Sequence, residues 1–516
     1  MSLIKSTATI GFYTLLSRIL GFARDVTIAS ALGASFRSDA FFVAFKLPNY
    51  LRRLFAEGAF NSAFIPMYAG QLAVEGKEKA NQFASEAMSF LLVILLAVTA
   101  LFMLFMPQLM VVLAPGFSND PAKFALTIVL TRITMPYIVF ISLVSLLGGV
   151  LNSSEKFAAV AATPVIMNLC LIIIPYFIDP LTHSGAHSLA IAVMSSGVAQ
   201  WLWLVYFCRR RGMLPSLVRP RLTPDVKKLL SLIAPVALGA GVAQINLFID
   251  TIIASYFNSG VSYLYYADRI NELPLAVIGI AVGTALLPLL SRQIREGKHE
   301  EARHSQNHAI ALSLLLSIPA MVALVMIAEP IITVMFQRGA FAATETTATY
   351  RALIAFALGL PAFVLVKILA PAFYAHQDTK TPFKIALVCI GVNLFFNLAL
   401  MHSLRHVGMA LATSIAGWVN VILMTIVLRR REWLVVEPRL LREIGSIAVA
   451  SMSMALALFC MQGVAHEYMA SRELIRFMIL GVMVTLGMSV YGLACVGLNV
   501  MTCRKRLLAL FLRVRG

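Results

Sequence analysis

The stretch DAFFVAFKLPNYLRRLFAEGAF, from Asp39 to Phe60, decides how the chain is read. Most of it is apolar, yet Asp39, Lys46 and Arg53 recur every seven residues. Seven residues are close to two helical turns, so these three charges share a face. Glu57 lies about five turns beyond Asp39 on the same stripe, Asn49 lies near it, and Arg52 flanks it. Pro48 and Gly58 should bend the helix. An ionised side chain at mid-bilayer costs about 2.5–3.5 kcal/mol on insertion scales, so it must face a partner or a polar cavity. An apolar helix with a charged stripe therefore predicts a membrane span that lines a polar interior.

The rest of the chain agrees. It has 516 residues, 60% of them hydrophobic and only 13% charged. Mean hydropathy is +0.85. Soluble domains carry about 25% charged residues, so a soluble globule, a disordered chain and a fibre are excluded. The expected fold is an all-α polytopic membrane protein. Apolar runs, Pro/Gly breaks and charge clusters predict about 14 transmembrane helices, centred near residues 20, 55, 98, 138, 168, 197, 243, 278, 316, 360, 391, 418, 453 and 488. Arg18, Arg24 and Asp25 interrupt the first apolar run, so it is expected to be retained as a helix and not cleaved as a signal.

The formal net charge is +18, from 42 Lys and Arg against 24 Asp and Glu. Most of the cations fall after even-numbered spans and in the tail. Connections after odd-numbered spans hold only Arg37, Lys123, Arg338, Arg405, Arg472 and Arg476. This asymmetry predicts both termini on the cytoplasmic side and needs no nucleic acid as partner. The six cysteines form no C-x-x-C, and no histidine pair has the companions of a metal site. No G-x-x-x-x-G-K-[ST] is present, so nucleotide hydrolysis is not the expected energy source.

The two halves echo each other. AFNSAFIP at Ala59–Pro66 matches AVGTALLP at Ala281–Pro288, an offset of 222. Glu155-Lys156 echoes Thr379-Lys380, and Asn168 echoes Asn393, at offsets of 224 and 225. Two parallel six-helix lobes plus two C-terminal helices are expected, an arrangement found among transporters. The expected domains are an N-lobe at 1–210, a basic cytoplasmic linker at 211–228, a C-lobe at 229–432, and spans 13 and 14 with a basic tail at 433–516.

Ser17, Gly21 and Arg24 share one face of span 1, with Arg18 and Asp25 beside them. Asp268 and Glu272 are one turn apart in span 8, next to Arg269. Spans 1 and 2 hold more cations than acids. A surplus of buried arginine suits an anion, and phosphate in particular through the bidentate fork; interhelical ion pairing is the alternative. Asp250, Asn393, Asn397 and Thr413 are oxygen donors at membrane depth. They suit either interhelical hydrogen bonds or a hard cation such as Na⁺.

RILGFARD at Arg18–Asp25, the stretch Asp39–Phe60, and YYADRINELP at Tyr265–Pro274 resemble the signatures of the MurJ/MviN family of bacterial lipid II flippases. That family belongs to the multidrug/oligosaccharidyl-lipid/polysaccharide exporter superfamily. The resemblance covers essentially the whole chain. It implies a non-enzymatic transporter in the bacterial cytoplasmic (inner) membrane. Its cargo would be lipid II, the undecaprenyl-pyrophosphate-linked disaccharide pentapeptide of cell wall synthesis, moved to the outer leaflet by alternating access. By the same resemblance, Arg18, Arg24, Asp25, Asp39, Arg52, Arg53, Glu57, Asp268 and Arg269 line the cargo cavity. The pyrophosphate would lie near Arg24, Asp25 and Arg269, and spans 13 and 14 would hold the lipid tail. Some relatives bind Na⁺ at positions matching Asp250, Asn393, Asn397, Met409 through its carbonyl, and Thr413. One relative has a carboxylate where this chain has Asn397. No other cofactor is implied. The expected partners are lipid II and membrane lipids, with the chain a monomer. The alternatives are another polysaccharide-lipid flippase or a cation-coupled exporter of the same superfamily. A membrane enzyme acting on lipid-linked sugars is a further one; it would place carboxylates in a sizeable loop at the membrane face.

Overall fold

The structure is a computed structural model that describes residues 3–52, 60–182, 184–468 and 473–502. Among the described residues it is helical and has no strand. Among the described residues ten helical stretches are long and apolar enough to cross a membrane. Their outward faces carry apolar side chains such as Leu104, Met452, Phe459 and Leu493. Such faces suit lipid, because a helix satisfies its own backbone and can present hydrocarbon to hydrocarbon. The chain is a multi-pass membrane protein.

The chain packs as two compact units. One is Met1–Ser262 with Arg338–Phe341, and the other is Tyr263–Gln337 with Ala342–Gly516. The first holds α1 (Leu3–Leu32), α2 (Phe36–Leu51), α3 (Phe60–Val74), α4 (Lys77–Leu104) and α5 (Met106–Leu113). It continues with α6 (Pro121–Thr134), α7 (Tyr137–Ser153), α8 (Phe157–Ala161), α9 (Thr163–Thr182), α10 (Gly185–Arg210) and α11 (Pro224–Ala254). α10 packs on α9, α7 and α6, and α1 lies on α8 and α9. α11 packs on α3, α4 and α5 of the same unit. The compact units therefore divide later in the chain than the basic segment 211–228.

That segment is not a loose connection. Every fourth residue on one face of α4 grips its backbone. Lys77 donates to the carbonyl of Arg211 at 2.8 Å and Asn81 to that of Gly212 at 3.4 Å. Ser85 and Ser89 accept from the amides of Ser216 and Val218 at 3.0 and 2.9 Å. Thr223 donates to Glu86 at 2.8 Å, then caps α11 ahead of Pro224.

The second unit holds α12 (Gly260–Arg295), whose first residues fall in the first unit, and α13 (His299–Met326), α14 (Ala328–Phe336), α15 (Ala343–Ala357) and α16 (Leu360–Ala375). α17 (Lys380–Arg430), α18 (Pro438–Tyr468) and α19 (Glu473–Gly497) complete it. Leu290, Ile310, Ile368, Phe373, Met424 and Ile447 share its main core. Met454, Leu458 and Met483 of α18 and α19 pack against Ile327 and Val334 at the α13–α14 bend.

α17 is two helices. As one rod its 51 residues would run about 77 Å. Asn393 and Thr413 would then lie about 30 Å apart, yet their side chains hydrogen-bond at 3.3 Å. The chain turns at Arg405, whose φ of 50° and ψ of −131° leave helical geometry. Gly408 allows the return, since a Cβ there would lie 2.8 Å from the Leu400 carbonyl oxygen.

Element boundaries repeat at the offset the sequence predicts. α4 breaks into α5 at Phe105, and α13 breaks into α14 at Ile327. α5 starts at Met106 and α14 at Ala328; α6 starts at Pro121 and α15 at Ala343. Each pair is 222 residues apart. The bend at Pro136 before α7 and that at Gly359 before α16 also correspond.

Candidate functional site

Arg24 and Asp25 lie in the second half of α1. Arg24 is 3% exposed and Asp25 is fully buried. The guanidinium gives Nε and Nη2 to Asp25 Oδ1 at 3.0 and 2.7 Å. It gives Nη1 to Asn168 Oδ1 of α9 at 3.0 Å. The Asn168 amide turns back to α1 and donates to the Ser17 carbonyl at 2.9 Å. Gly21 is where the two helices approach, for a Cβ there would sit 3.4 Å from Asn168 Nδ2. The face Ser17–Gly21–Arg24 expected from spacing is thus the face that meets α9. A buried guanidinium held in one orientation beside a carboxylate and a neutral amide is suited to a phosphate oxygen.

Asp39 is placed differently from the expected cavity-lining role. It is fully buried in the first turn of α2, where Ser35 caps the helix. Its Oδ2 accepts from Lys123 Nζ at 2.6 Å, and its Oδ1 accepts from the Ser262 amide and hydroxyl at 2.8 and 2.6 Å. Both oxygens are held within the protein. Lys123, expected as a charge in a connection, is 4% exposed in the first turn of α6. Its ammonium also lies 3.9 Å from the Phe117 ring centroid, a cation–π contact. Asp39 is therefore balanced by a cation from outside spans 1 and 2.

The other stripe residues follow their own partners. Lys46 reaches Thr251 of α11 at 3.4 Å, and Tyr50 reaches the same hydroxyl at 3.3 Å. Arg52 donates to Asn49 at 3.2 Å. Arg18 is exposed on α1. Arg53 and Glu57 lie outside the described residues. In the second unit Arg269 bonds Glu272 at 3.1 Å, one turn on, and its guanidinium lies 6.0 Å from the Tyr265 ring centroid. Asp268 is half-buried beside it.

The α17 hairpin gathers four of the five residues expected around Na⁺. Asn397 Nδ2 donates to Asn393 Oδ1 at 2.9 Å, Asn393 Nδ2 to Thr413 Oγ1, and Thr413 Oγ1 to the Met409 carbonyl at 3.1 Å. Asp250 is half-buried in α11 of the first unit. The hairpin donors are neutral oxygens of the kind a hard cation takes. Among the described residues no group of three or more His, Cys, Asp or Glu is placed to hold a metal.

The family profile described as "Lipid II flippase MurJ" matches residues 28–479. The chain belongs to the lipid II flippase MurJ family. It is 39% identical over 492 residues to "Probable lipid II flippase MurJ" of Rickettsia prowazekii (strain Madrid E), covering 95% of this chain and 97% of that one. It is 41% identical over 499 residues to the protein of the same name from Rhizobium tropici, covering 95% and 93%. A solved structure titled "Lipid II flippase MurJ, inward closed conformation" matches with a TM-score of 0.79 at 27% identity, covering 95% of this chain and 98% of that one. Within this MurJ frame, sequence reasoning missed Asn168, Lys123 and Ser262 as side chains of the site. Asn168 had a signal, its echo in Asn393. Lys123 had none, because a single lysine between apolar runs reads as a connection.

Proposed function

We propose that this MurJ-family chain flips lipid II from the cytoplasmic to the outer leaflet of the inner membrane, by alternating access. The observation that carries the reading is the buried Arg24–Asp25 pair held by Asn168 within an apolar helix. A desolvated guanidinium, oriented beside its carboxylate, strengthens a charge-assisted hydrogen bond to a pyrophosphate oxygen, while the lipid tail stays in hydrocarbon. Arg18, Arg52, Asp268 and Arg269 act as further contacts, on the family resemblance. The chain works as a monomer. The membrane potential supplies about 2.3 kcal/mol per charge per 100 mV to drive or reset it.

The deciding experiment depletes the protein in cells and scores lipid II at the outer surface. Surface lipid II should fall while total lipid II accumulates. Wild type should restore it, and well-expressed Arg24→Ala should not. Unchanged surface lipid II on depletion would sink the reading.

Na⁺ serves as the coupling ion, taken by the oxygens of Asn393, Asn397, Met409 and Thr413. NaCl should then raise the thermal midpoint of the purified chain above that in choline chloride, and Asn397→Ala should abolish the difference. Equal midpoints in the two salts for the wild type would remove Na⁺ from the scheme.

A further inference from the structure

We propose that Asn168 is the positioning residue for Arg24, and that its value lies in holding the guanidinium without adding a second anion beside Asp25. The inference rests on the reading of Arg24 as the pyrophosphate contact.

A long arginine side chain next to a carboxylate can settle in several orientations. Here two edges of the guanidinium are fixed. Asp25 takes Nε and Nη2, and Asn168 takes Nη1. The direction of the Asn168 amide is itself determined. Its Nδ2 donates to the Ser17 carbonyl at 2.9 Å and lies 3.4 Å from the Ser17 hydroxyl oxygen. A flipped amide would set its carbonyl against the Ser17 carbonyl and its NH₂ against the guanidinium. Both clashes are electrostatic, so only one orientation fits. The close approach at Gly21 makes the geometry tight.

The chemistry of the amide matters as much as its place. A carboxylate at 168 would also accept from Nη1, but with Asp25 it would set two anions around one buried cation. The site would then repel a pyrophosphate. A neutral acceptor orients the cation and leaves the local balance near zero. Asn393, the echo of Asn168 in the second half, is buried too, but its bonds are to the neutral groups of Thr413 and Asn397. The amide at 168 is the copy joined to a cation.

The test measures lipid II binding to the purified full chain in detergent at low and high salt, with thermal midpoints recorded beside it. Asn168→Ala should weaken binding by about threefold, from a guanidinium no longer oriented. Asn168→Asp should weaken it by about tenfold or more, with a gap to the alanine variant that widens as salt is lowered. Midpoints should fall modestly in both, without tracking the loss of binding. A packing role would instead make affinity follow the midpoint and leave the gap independent of salt, and that result overturns the proposal. So does wild-type affinity in Asn168→Ala, which decides the matter even where Asn168→Asp does not fold. Arg24→Ala keeps the two layers apart. If it loses binding while both Asn168 variants keep it, only the positioning role fails. If it binds normally, the reading of Arg24 as cargo contact fails, and the positioning role falls with it.

Discussion

At the scale of single residues, burial decides which charges are available. The spacing of Ser17, Gly21 and Arg24 marked the face that meets α9, but that Asp25, on the adjacent face, takes the Arg24 guanidinium was not legible. Asp39 was legible as costly but not as satisfied. Its cation, Lys123, lies 84 residues away, and no local pattern links them. The pair is fully enclosed, with Asp39 at 0% exposure. Removing one member leaves an uncompensated buried charge, which costs about 3–5 kcal/mol. Lys123→Ala should therefore destabilise the protein by about that amount in detergent unfolding. The double variant Lys123→Met with Asp39→Asn should lose clearly less, because no ion is stranded. A neutral Lys123→Ala would show that the pair is not closed to water.

At the scale of elements, the helix breaks carry information that composition does not. The breaks at Phe105 and Ile327 and the bends at Pro136 and Gly359 recur at offsets of 222 and 223. Pro136 and Pro361 were visible as breakers. Phe105 and Ile327 are not breakers themselves, but Pro107 and Pro330 stand in the first turn of the helix that follows each. The docking of residues 211–223 along α4 was also hidden. Prolines and arginines there read as a basic cytoplasmic linker, and its grip comes from Lys77, Asn81, Ser85 and Ser89 at steps of four on a neighbouring helix. Replacing Ser85 and Ser89 together by alanine should loosen that strap. Hydrogen exchange at the Ser216 and Val218 amides should then rise by about tenfold, with little change in the core of α10. Unchanged exchange at those amides would mean that other contacts hold the segment.

At the scale of the whole molecule, the sidedness of the cations sets the expected orientation. Arg209, Arg210 and Arg211 end α10, and Arg429 and Arg430 end α17. The positive-inside rule assigns each cluster to the cytoplasm as an expectation. Full-length fusions should place a fluorescent reporter at either terminus in the cytoplasm, while a periplasm-dependent phosphatase at the same points stays inactive. Phosphatase activity at one terminus alone would require an odd number of spans.

The sequence by itself determined the membrane class, the helical architecture, the doubled plan and the family. Each of these rests on free energies that act locally or repeat along the chain: the transfer of apolar segments, the cost of charges among them, and the breaking of helices at proline. The tertiary structure decided which charges are satisfied and which are poised. Asn168 reached Arg24 and Lys123 reached Asp39 only after helices far apart in sequence had packed, and Thr413 reached Asn393 only once α17 had folded back on itself. A side-chain hydrogen bond depends on distances of about 3 Å between atoms, and packing alone sets those distances.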